Sequence, residues 1–355
     1  MAPNAYRDRL IDAKEALSAA FLSPPSPDVW QVGMLRLLQK TALSFAQEGA
    51  ARGAIRFDEV VQKSPPVVHA IGVGRKITNG DRTGTPAVRV YVTRKADVRP
   101  SEHIPETVSG VATDVIEAPP ARFLAAPCTA SRTAAIRPLI AGISTSHASG
   151  DTGTVAYFCR FPNVSGVYVL SNAHIYANYG AAAAGDPLLQ PGAADGGSAG
   201  SQVASFHTAV PLLFGGAPNE VDAALGELLP GMAYNASICT IGAVNGTAQA
   251  VEDDPVVKHG RTTGYTEGVI DDELIDFIML PDNSTSYVKF RNQMRIVPTG
   301  PAGSVIASGG DSGSLVVKKA GQAAVGLLHS AAIDGSYAYA NHIDKVLSLL
   351  GVVLL

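Results

Sequence analysis

The sequence predicts a mainly β protein, a pair of short-stranded barrels or a sandwich, carried behind an N-terminal helical segment and a small α/β unit. Three observations predict it. The 36 glycines and 23 prolines among 355 residues supply more turn residues than a helical body uses. Beyond Pro119-Pro120, short apolar stretches alternate with turn chemistry almost to the end: GTVAYFCRF, GVYVLSNAHI, VDAALGEL, PVVKHGRTTGYTEGVI, QMRIVP, GSLVVKK, AAVGLLHSA and GSYAYAN. Helical spacing of apolar residues, by contrast, is confined to the two ends of the chain.

Taken in order, residues 6–21 place Leu10, Ile11, Leu17 and Phe21 at helical intervals, and Pro24, Pro25 and Pro27 end that helix. A second helix is expected over 29–48, where Val32, Met34, Leu35, Leu38, Leu43 and Phe45 form a packing face. Two strands, 67–76 and 87–93, flank a loop rich in Gly, Asn and Asp, and a third strand follows at 111–117. Within this unit GVGRK lacks the third glycine and the following helix of a dinucleotide fingerprint, so no nucleotide site is expected. Residues 179–216, rich in Ala, Gly and Pro, read as a long surface loop, and a last helix over 343–350 would pack on the body. The expected domains are 1–60, 61–126 and 127–355.

Composition narrows the function. A net charge of -4 with only 16% charged residues offers no basic surface for nucleic acid and no acidic tail. No stretch of about 18 apolar residues exists, and the start MAPNAYRDRLIDAKEAL is charged where a signal peptide is apolar, so a cytoplasmic protein with no membrane partner is expected. Cys128, Cys159 and Cys239 form no close pair and no metal spacing, which argues against a disulfide framework and gives no reason to expect a metal or a cofactor. Asp253, Asp254, Asp271, Asp272 and Glu273 fall in predicted turns, where solvated side chains are preferred over a calcium site. His147, His207, His259 and His342 lack metal spacing and read as structural or solvated.

The chemistry concentrates in SGGDSGSL, residues 308–315. Attack on an amide needs a nucleophile, a base for its proton, a group that orients the base, and donors for the developing oxyanion. Ser312 is the candidate nucleophile, and the flanking glycines would let the backbone N–H groups of Gly310 and Ser312 converge as an oxyanion hole. His174, delivered at the end of the apolar run VYVLSNA, is the candidate base, with Asn178 and Tyr179 close enough to shape a cleft. Asp222, entering the apolar strand VDAAL, is the candidate orienting acid, because a buried carboxylate needs a partner. Glu220, on the other strand face and nearer the loop, is the competing choice.

The order His174, Asp222, Ser312, with intervals of 48 and 90 residues, together with SNAHI, VDAAL and GDSGSLVV, resembles the chymotrypsin/trypsin-like serine peptidases over roughly 128–355. The resemblance implies a chymotrypsin-like double β-barrel, with His174 as general base, Asp222 as its orienter, Ser312 as nucleophile, and Gly310 with Ser312 as the oxyanion hole. VKHGRTTG at 257–264, GDSGSLVV, VGLL at 325–328 and the upstream GVGRK and IPETVSGVATDV stretches look more narrowly like peptidases related to the plant narrow-leaf protein and their bacterial counterparts. On that likeness residues 258–264 would start the second barrel, with the cleft between the barrels. The pocket would be lined by Ile306, Ala307, His329 and Ala331; no aspartate stands there to select Arg or Lys, so small or apolar residues are the expected targets. His329 reads as support for the triad or pocket filler in preference to a reader of acidic or amide side chains.

The chain also departs from the pattern. Ile175 follows the histidine where secreted relatives often carry a bridging cysteine, which suits a reducing compartment. Relatives activated by cleavage pair a new N-terminal amine with the acid beside the serine, here Asp311; Arg137 precedes Pro138, a poor cutting site before Ile140-Ala141-Gly142-Ile143, so Asp311 is expected to find another partner. The expected function is a serine endopeptidase acting on protein or peptide substrates, a regulated intracellular processing enzyme. The alternative is a non-cleaving peptide-binding scaffold on the same fold. Residues 1–126 would act as a latch, a recruiting surface for a regulatory partner, or structural support.

Overall fold

The computed structural model describes residues 3–22, most of 68–118, 121–123, 131–281 and 286–355. The helix expected at 29–48 lies outside the described residues. Two compact units are seen, one drawn from Met1–Pro120, Phe214–Ala217 and Ile275–Lys289, the other from Ala121–Leu213, Pro218–Leu274 and Phe290–Leu355.

The first unit contains α1 (Pro3–Phe21), β1 (Val68–Thr78), β2 (Asp81–Val92), β3 (Thr107–Val108) and β4 (Val111–Glu117). β1 and β2 form an antiparallel hairpin, β2 pairs in parallel with β4, and β3 pairs antiparallel with β4. Leu10, Ala13 and Leu17, on one helical face, pack against Ile71, Val88, Val90 and Val111 of the sheet, the usual way for an amphipathic helix and a half-buried sheet to cover each other. Lys14 lies on that same face and is fully buried; its ammonium sits 2.7 Å from Asp276 Oδ1, so the charge is paired where water cannot reach it.

The second unit begins with β5 (Ala121–Phe123), β6 (Leu139–Ala141), β7 (Ser144–His147), β8 (Thr152–Thr154), β9 (Tyr157–Arg160), β10 (Tyr168–Ser171), the single turn α2 (Ala173–Tyr176), β11 (Pro187–Leu189), β12 (Gln202–Ala209), β13 (Pro218–Asn219), β14 (Ala224–Leu228) and β15 (Tyr234–Ile238). It continues with β16 (Pro255–Gly260), β17 (Gly264–Met279, its residues from Ile275 on counted with the first unit), β18 (Val288–Pro298, its first two residues likewise), β19 (Leu315–Lys318), β20 (Ala324–Ala332), β21 (Ala338–His342), α3 (Ile343–Leu350) and β22 (Val353–Leu354). One sheet runs β22-β9-β10-β14-β12-β11-β7-β8, a partly wrapped half-barrel. The other closes on itself: β16, β19, β20, β21, β18 and β17 follow in turn, and β17 pairs back onto β16. Closure leaves the ring without free edges.

The ring interior holds Ile270, Met294, Ile296, Val316, Leu328, Ala338 and Ala340, the mixture of branched and small side chains that a narrow barrel accommodates. The core of the half-barrel, with Val155, Phe158, Leu170 and Leu225, is continuous with Leu315, Val317 and Leu327 of the ring and with Ile343, Val346 and Leu350 of α3. The two sheets therefore share one buried mass, and α3 closes it. The described residues are mainly β, with a half-barrel and a closed ring where the strand pattern predicted a pair of barrels or a sandwich.

Two expectations are corrected. Residues 179–216 are not one long surface loop: they contain β11 and β12, and Leu188, Leu189, Val203 and Ala204 are buried. The Ala- and Gly-rich stretches 181–185 and 192–200 that flank these strands mask them in the sequence, and Leu188 packs against Gly226 of β14, where a Cβ would collide with it. Likewise Asp271, Asp272 and Glu273 do not sit in a turn but within the long strand β17, where Asp271 and Asp272 are buried and Asp271 is paired with Arg295 of β18. Among the described residues, no helix is long and apolar enough to cross a membrane.

Candidate active site

β10 ends at Ser171, and the chain turns through Asn172 into the one-turn helix that carries His174. The Asn172 side chain does not cap that helix; its amide donates to the backbone carbonyl of Asp222 at 2.8 Å. This ties the histidine turn to the segment just before β14. Asp222, fully buried, then receives two hydrogen bonds from one residue: the His174 backbone N–H on Oδ1 at 3.1 Å and the imidazole Nδ1 on Oδ2 at 2.5 Å. A carboxylate at Nδ1 fixes the proton there and leaves Nε2 as the basic nitrogen. Burial alone would raise the Asp222 carboxyl, but the charge and hydrogen bonds of His174, aided by the nearby His329, outweigh it and hold the group below the ordinary 3.8.

Asp222 is also gripped from the ring. Its N–H donates to Asn341 Oδ1 at 3.0 Å, Asn341 donates to Gln293 Oε1 at 2.5 Å, and Gln293 donates to the Glu220 carbonyl at 2.8 Å. The competing acid is turned elsewhere: the Glu220 carboxylate is part exposed and faces Lys345 at 3.4 Å.

Ser312 lies in the loop that leads into β19, packed against the half-barrel. Thr154 of β8 takes hold of it twice, donating its N–H to the Ser312 carbonyl and its hydroxyl to the Gly310 carbonyl, both at 2.8 Å. Gly310 and Gly313 have φ of +93° and +92°, and a Cβ on either would collide, at Gly310 with Arg261 and Thr262, at Gly313 with Thr154 and Ser171. Glycine is required at both places by conformation and by space. A Cβ on Gly153 would meet both the Ser312 carbonyl and Ile175, each at 2.8 Å, so the serine loop and the turn bearing His174 abut the same residue. The Ser312 hydroxyl donates to the His329 carbonyl at 3.1 Å.

The amides of the loop divide into two sets. Those of Asp311, Gly313 and Ser314 donate to the carbonyls of Ser308, Leu328 and Asp311. Those of Gly310 and Ser312 donate to no protein acceptor among the described residues. Two undonated amides beside a buried serine are what a developing oxyanion requires.

Asp311 does find another partner. Its carboxylate, fully buried, accepts from the Lys258 ammonium at 3.2 Å, the Thr263 hydroxyl at 2.6 Å and the amides of Thr262, Thr263 and Ser308 at 2.8, 3.1 and 3.0 Å. Burial would raise this carboxyl, and Lys258 together with the hydrogen bonds holds it below the ordinary 3.8 instead. Next to it Arg261 makes a buried bidentate pair with Asp195, at 2.6 and 2.7 Å, joining the end of the ring strand β16 to a turn of the half-barrel.

The four pocket residues separate. Ile306, Ala307 and Ala331 are packed in the ring interior with Val316, Leu328 and Ala338. His329 is also buried but stacks on Phe290 at 4.6 Å between ring centres, and burial, with a smaller push from His174, drives its imidazole down to about 3 despite the opposing pull of Asp222, so it is neutral. Tyr179, at φ +58°, holds its ring 5.8 Å from that of His174 and donates its hydroxyl to Asp151 at 2.9 Å. The four histidines expected to be structural or solvated have local duties: His147 beside Asp186, His259 on the Gly142 carbonyl, His342 on the Glu273 carbonyl, and His207 against the rings of Tyr168 and Phe161. Among the described residues, no group of three or more His, Cys, Asp or Glu side chains is placed to hold a metal ion. Cys159 and Cys239 are free thiols.

Thr154, Asn341 and Gln293 were not singled out in the sequence, since nothing in their local pattern marks them. Lys258 and the two threonines were, but only as part of a family-like motif.

No family model matches the chain, and no curated protein matches it. Solved structures do. A glutamic acid specific serine protease is 17% identical with a TM-score of 0.45, over 61% of this chain and 100% of its own. Protease A of Thermobifida fusca is 17% identical at 0.43, and a chymotrypsin of Cellulomonas bogoriensis is 17% identical at 0.42, each over 61% of this chain and 98% of its own.

Proposed function

We propose that the protein is a serine endopeptidase in which His174, Asp222 and Ser312 act as a triad. The observation that carries this reading is the buried Asp222–His174 pair, with its 2.5 Å hydrogen bond on Nδ1, set against the same glycine as the serine loop. Nε2 takes the proton of Ser312 as its oxygen attacks a substrate carbonyl; the amides of Gly310 and Ser312 hold the oxyanion; His174 protonates the leaving amine and then activates the water that releases the acyl group. Asp222 keeps the imidazole oriented and stabilises its charged form without taking the proton.

Several finer points belong to the same proposal. The substrates are proteins or peptides; Ile306, Ala307 and Ala331, being packed in the ring interior, do not set the side-chain preference. His329, neutral and close to Asp222, supports the triad. The motif likeness to the narrow-leaf group suggests a processing enzyme working in a reducing compartment, with residues 1–126 as the region where a partner would act.

The test is reaction of the purified full chain with a fluorophosphonate probe. Stoichiometric labelling that disappears in Ser312→Ala is expected. Absence of labelling in the folded wild-type chain would overturn the peptidase reading and put the non-cleaving scaffold in its place.

A further inference from the structure

β20 is longer than the strand beside it, and what covers the surplus bears on the proposed chemistry. On one edge β20 pairs with β21 from Gly326 to Ala331. On the other, β19 pairs only with Ala324 to Leu327. The serine loop extends that contact by one residue: the Gly313 N–H donates to the Leu328 carbonyl at 2.8 Å, and the Leu328 N–H donates to the Ser314 carbonyl at 3.0 Å. Ser330, Ala331 and Ala332 overhang beyond this point. Strand backbone left uncovered is a template for another extended chain. Here it is taken by β5, which pairs antiparallel with it, Phe123 opposite Ser330, Arg122 opposite Ala331 and Ala121 opposite Ala332. The Ala332 N–H donates to the Tyr337 carbonyl at 2.9 Å, on the β21 side. Alternate residues of a strand face opposite edges, so the N–H and carbonyl of Ala331 face the other way, toward Arg122.

The direction of β5 is as telling as its place. The Ser312 hydroxyl donates to the carbonyl of His329, the residue just before the overhang. Because β5 is antiparallel to β20, it runs from Ala332 toward Ser330, and its C-terminal end is the one that approaches Ser312. A peptide lying on this edge in the same sense brings its carbonyl side to the serine, with the leaving amine beyond. That is the orientation acyl transfer requires of the acyl half of a substrate. β5 therefore lies along the path by which a peptide would reach the nucleophile.

We infer that β5 is a built-in occupant of the substrate edge: the backbone of residues 121–123 fills the place of the acyl side of a peptide on β20, so that a peptide is cut only when this strand leaves. Two features suit a strand that must be displaced. It is three residues long, and Pro119 and Pro120 before it have no N–H with which to lengthen the ladder. Tethered in the same chain, it still competes at high effective concentration with any free peptide. β5 also opens the second unit, directly after the last residue of the first, so a cut or a partner acting on residues 1–120 has a covalent route to it. This inference rests on the peptidase reading, and its test keeps the two apart.

The folded full chain is compared with two variants. Arg122→Pro removes the N–H that faces Ala331, at an edge position that tolerates proline. Ala121→Cys/Ala332→Cys places two thiols at opposite positions of the ladder, and their bridge locks β5 onto β20. Each protein is assayed for labelling by a small alkyl fluorophosphonate, which needs the serine but not the edge, and for kcat and KM on a peptide amide. Arg122→Pro should lower KM about tenfold, with kcat and the labelling rate little changed, as loss of a competing occupant requires. The oxidised double variant, its bridge verified by mass, should label yet fail to cut the peptide, and reductant should restore turnover. Equal KM in wild type and folded Arg122→Pro, or undiminished turnover by the bridged form, would overturn the latch while leaving the peptidase intact. If Arg122→Pro does not fold, the bridged form decides. No labelling of any of the three would remove the peptidase reading and this inference with it.

Discussion

Replacing Asp222 by asparagine would test the heart of the proposed chemistry with almost no change of shape. Asp222 Oδ1 accepts the His174 backbone N–H and Oδ2 accepts Nδ1. An asparagine that keeps its carbonyl on the backbone N–H must turn its NH₂ toward Nδ1. Two donors would then face each other, and the imidazole relieves this by moving its proton to Nε2, the atom that must be unprotonated to receive the serine proton. The lost charge adds to the effect: a carboxylate and an imidazolium with charge centres roughly 3–4 Å apart attract by about 4–6 kcal/mol at an effective dielectric constant of about 20. That matches a fall in kcat of about 10⁴-fold, the loss associated with a mis-set tautomer in such triads and worth about 5.4 kcal/mol. The assay is the second-order rate of fluorophosphonate labelling together with kcat, with Ser312→Ala as the floor. Glu220→Gln, whose carboxylate faces Lys345, should leave both unchanged. Asp222→Asn activity within tenfold of wild type would refute the assignment of the orienting acid.

Three further outcomes follow from the same geometry. Gly313→Ala, forced into φ +92° and against Thr154 and Ser171, should abolish labelling and lower stability by about 1–3 kcal/mol or more, read by urea unfolding. Lys14→Met leaves Asp276 buried without its 2.7 Å partner and should cost about 3–5 kcal/mol, most of which Lys14→Met/Asp276→Leu should recover; equal stability of the single and double variants in denaturation curves would count against it. His329 is buried and neutral, at about 3 against the ordinary 6.5. The unfolded chain therefore binds this proton first, so the stability that His329 contributes is complete above pH 6.5 and is lost toward pH 3, by up to about 1.4 kcal/mol per pH unit. His329→Gln should flatten the stability curve between pH 6 and 4, and an unchanged slope would remove His329 as the cause.

What the sequence made legible was local. The strands 67–76 and 111–117 and the helix 343–350 were readable because their own periodicity sets them, and they appear within two residues of their expected ends, whereas the strand expected at 87–93 already begins at Asp81, inside the expected loop. Asp222 could be preferred to Glu220 because an acid beside an apolar strand must be buried and partnered. What stayed hidden depends on residues far apart in the chain. Asn341 reaches Asp222 across 119 positions and Lys258 reaches Asp311 across 53. Asp271 reads as a turn residue until Arg295 is brought beside it by the pairing of β17 with β18. β11 and β12 escaped because the Ala- and Gly-rich stretches 181–185 and 192–200 beside them dominate the local pattern.

The division of the site between two sheets has a practical consequence. On the proposed reading His174 and Asp222 stand on the half-barrel side and Ser312 belongs to the ring, so neither piece alone owns a complete set of reacting groups. Turnover would then work as a two-input gate, reporting that both halves have folded and met. A chain divided in the stretch between β15 and β16 would regain hydrolysis only on reassembly, and the same dependence would silence a half-made polypeptide still leaving the ribosome.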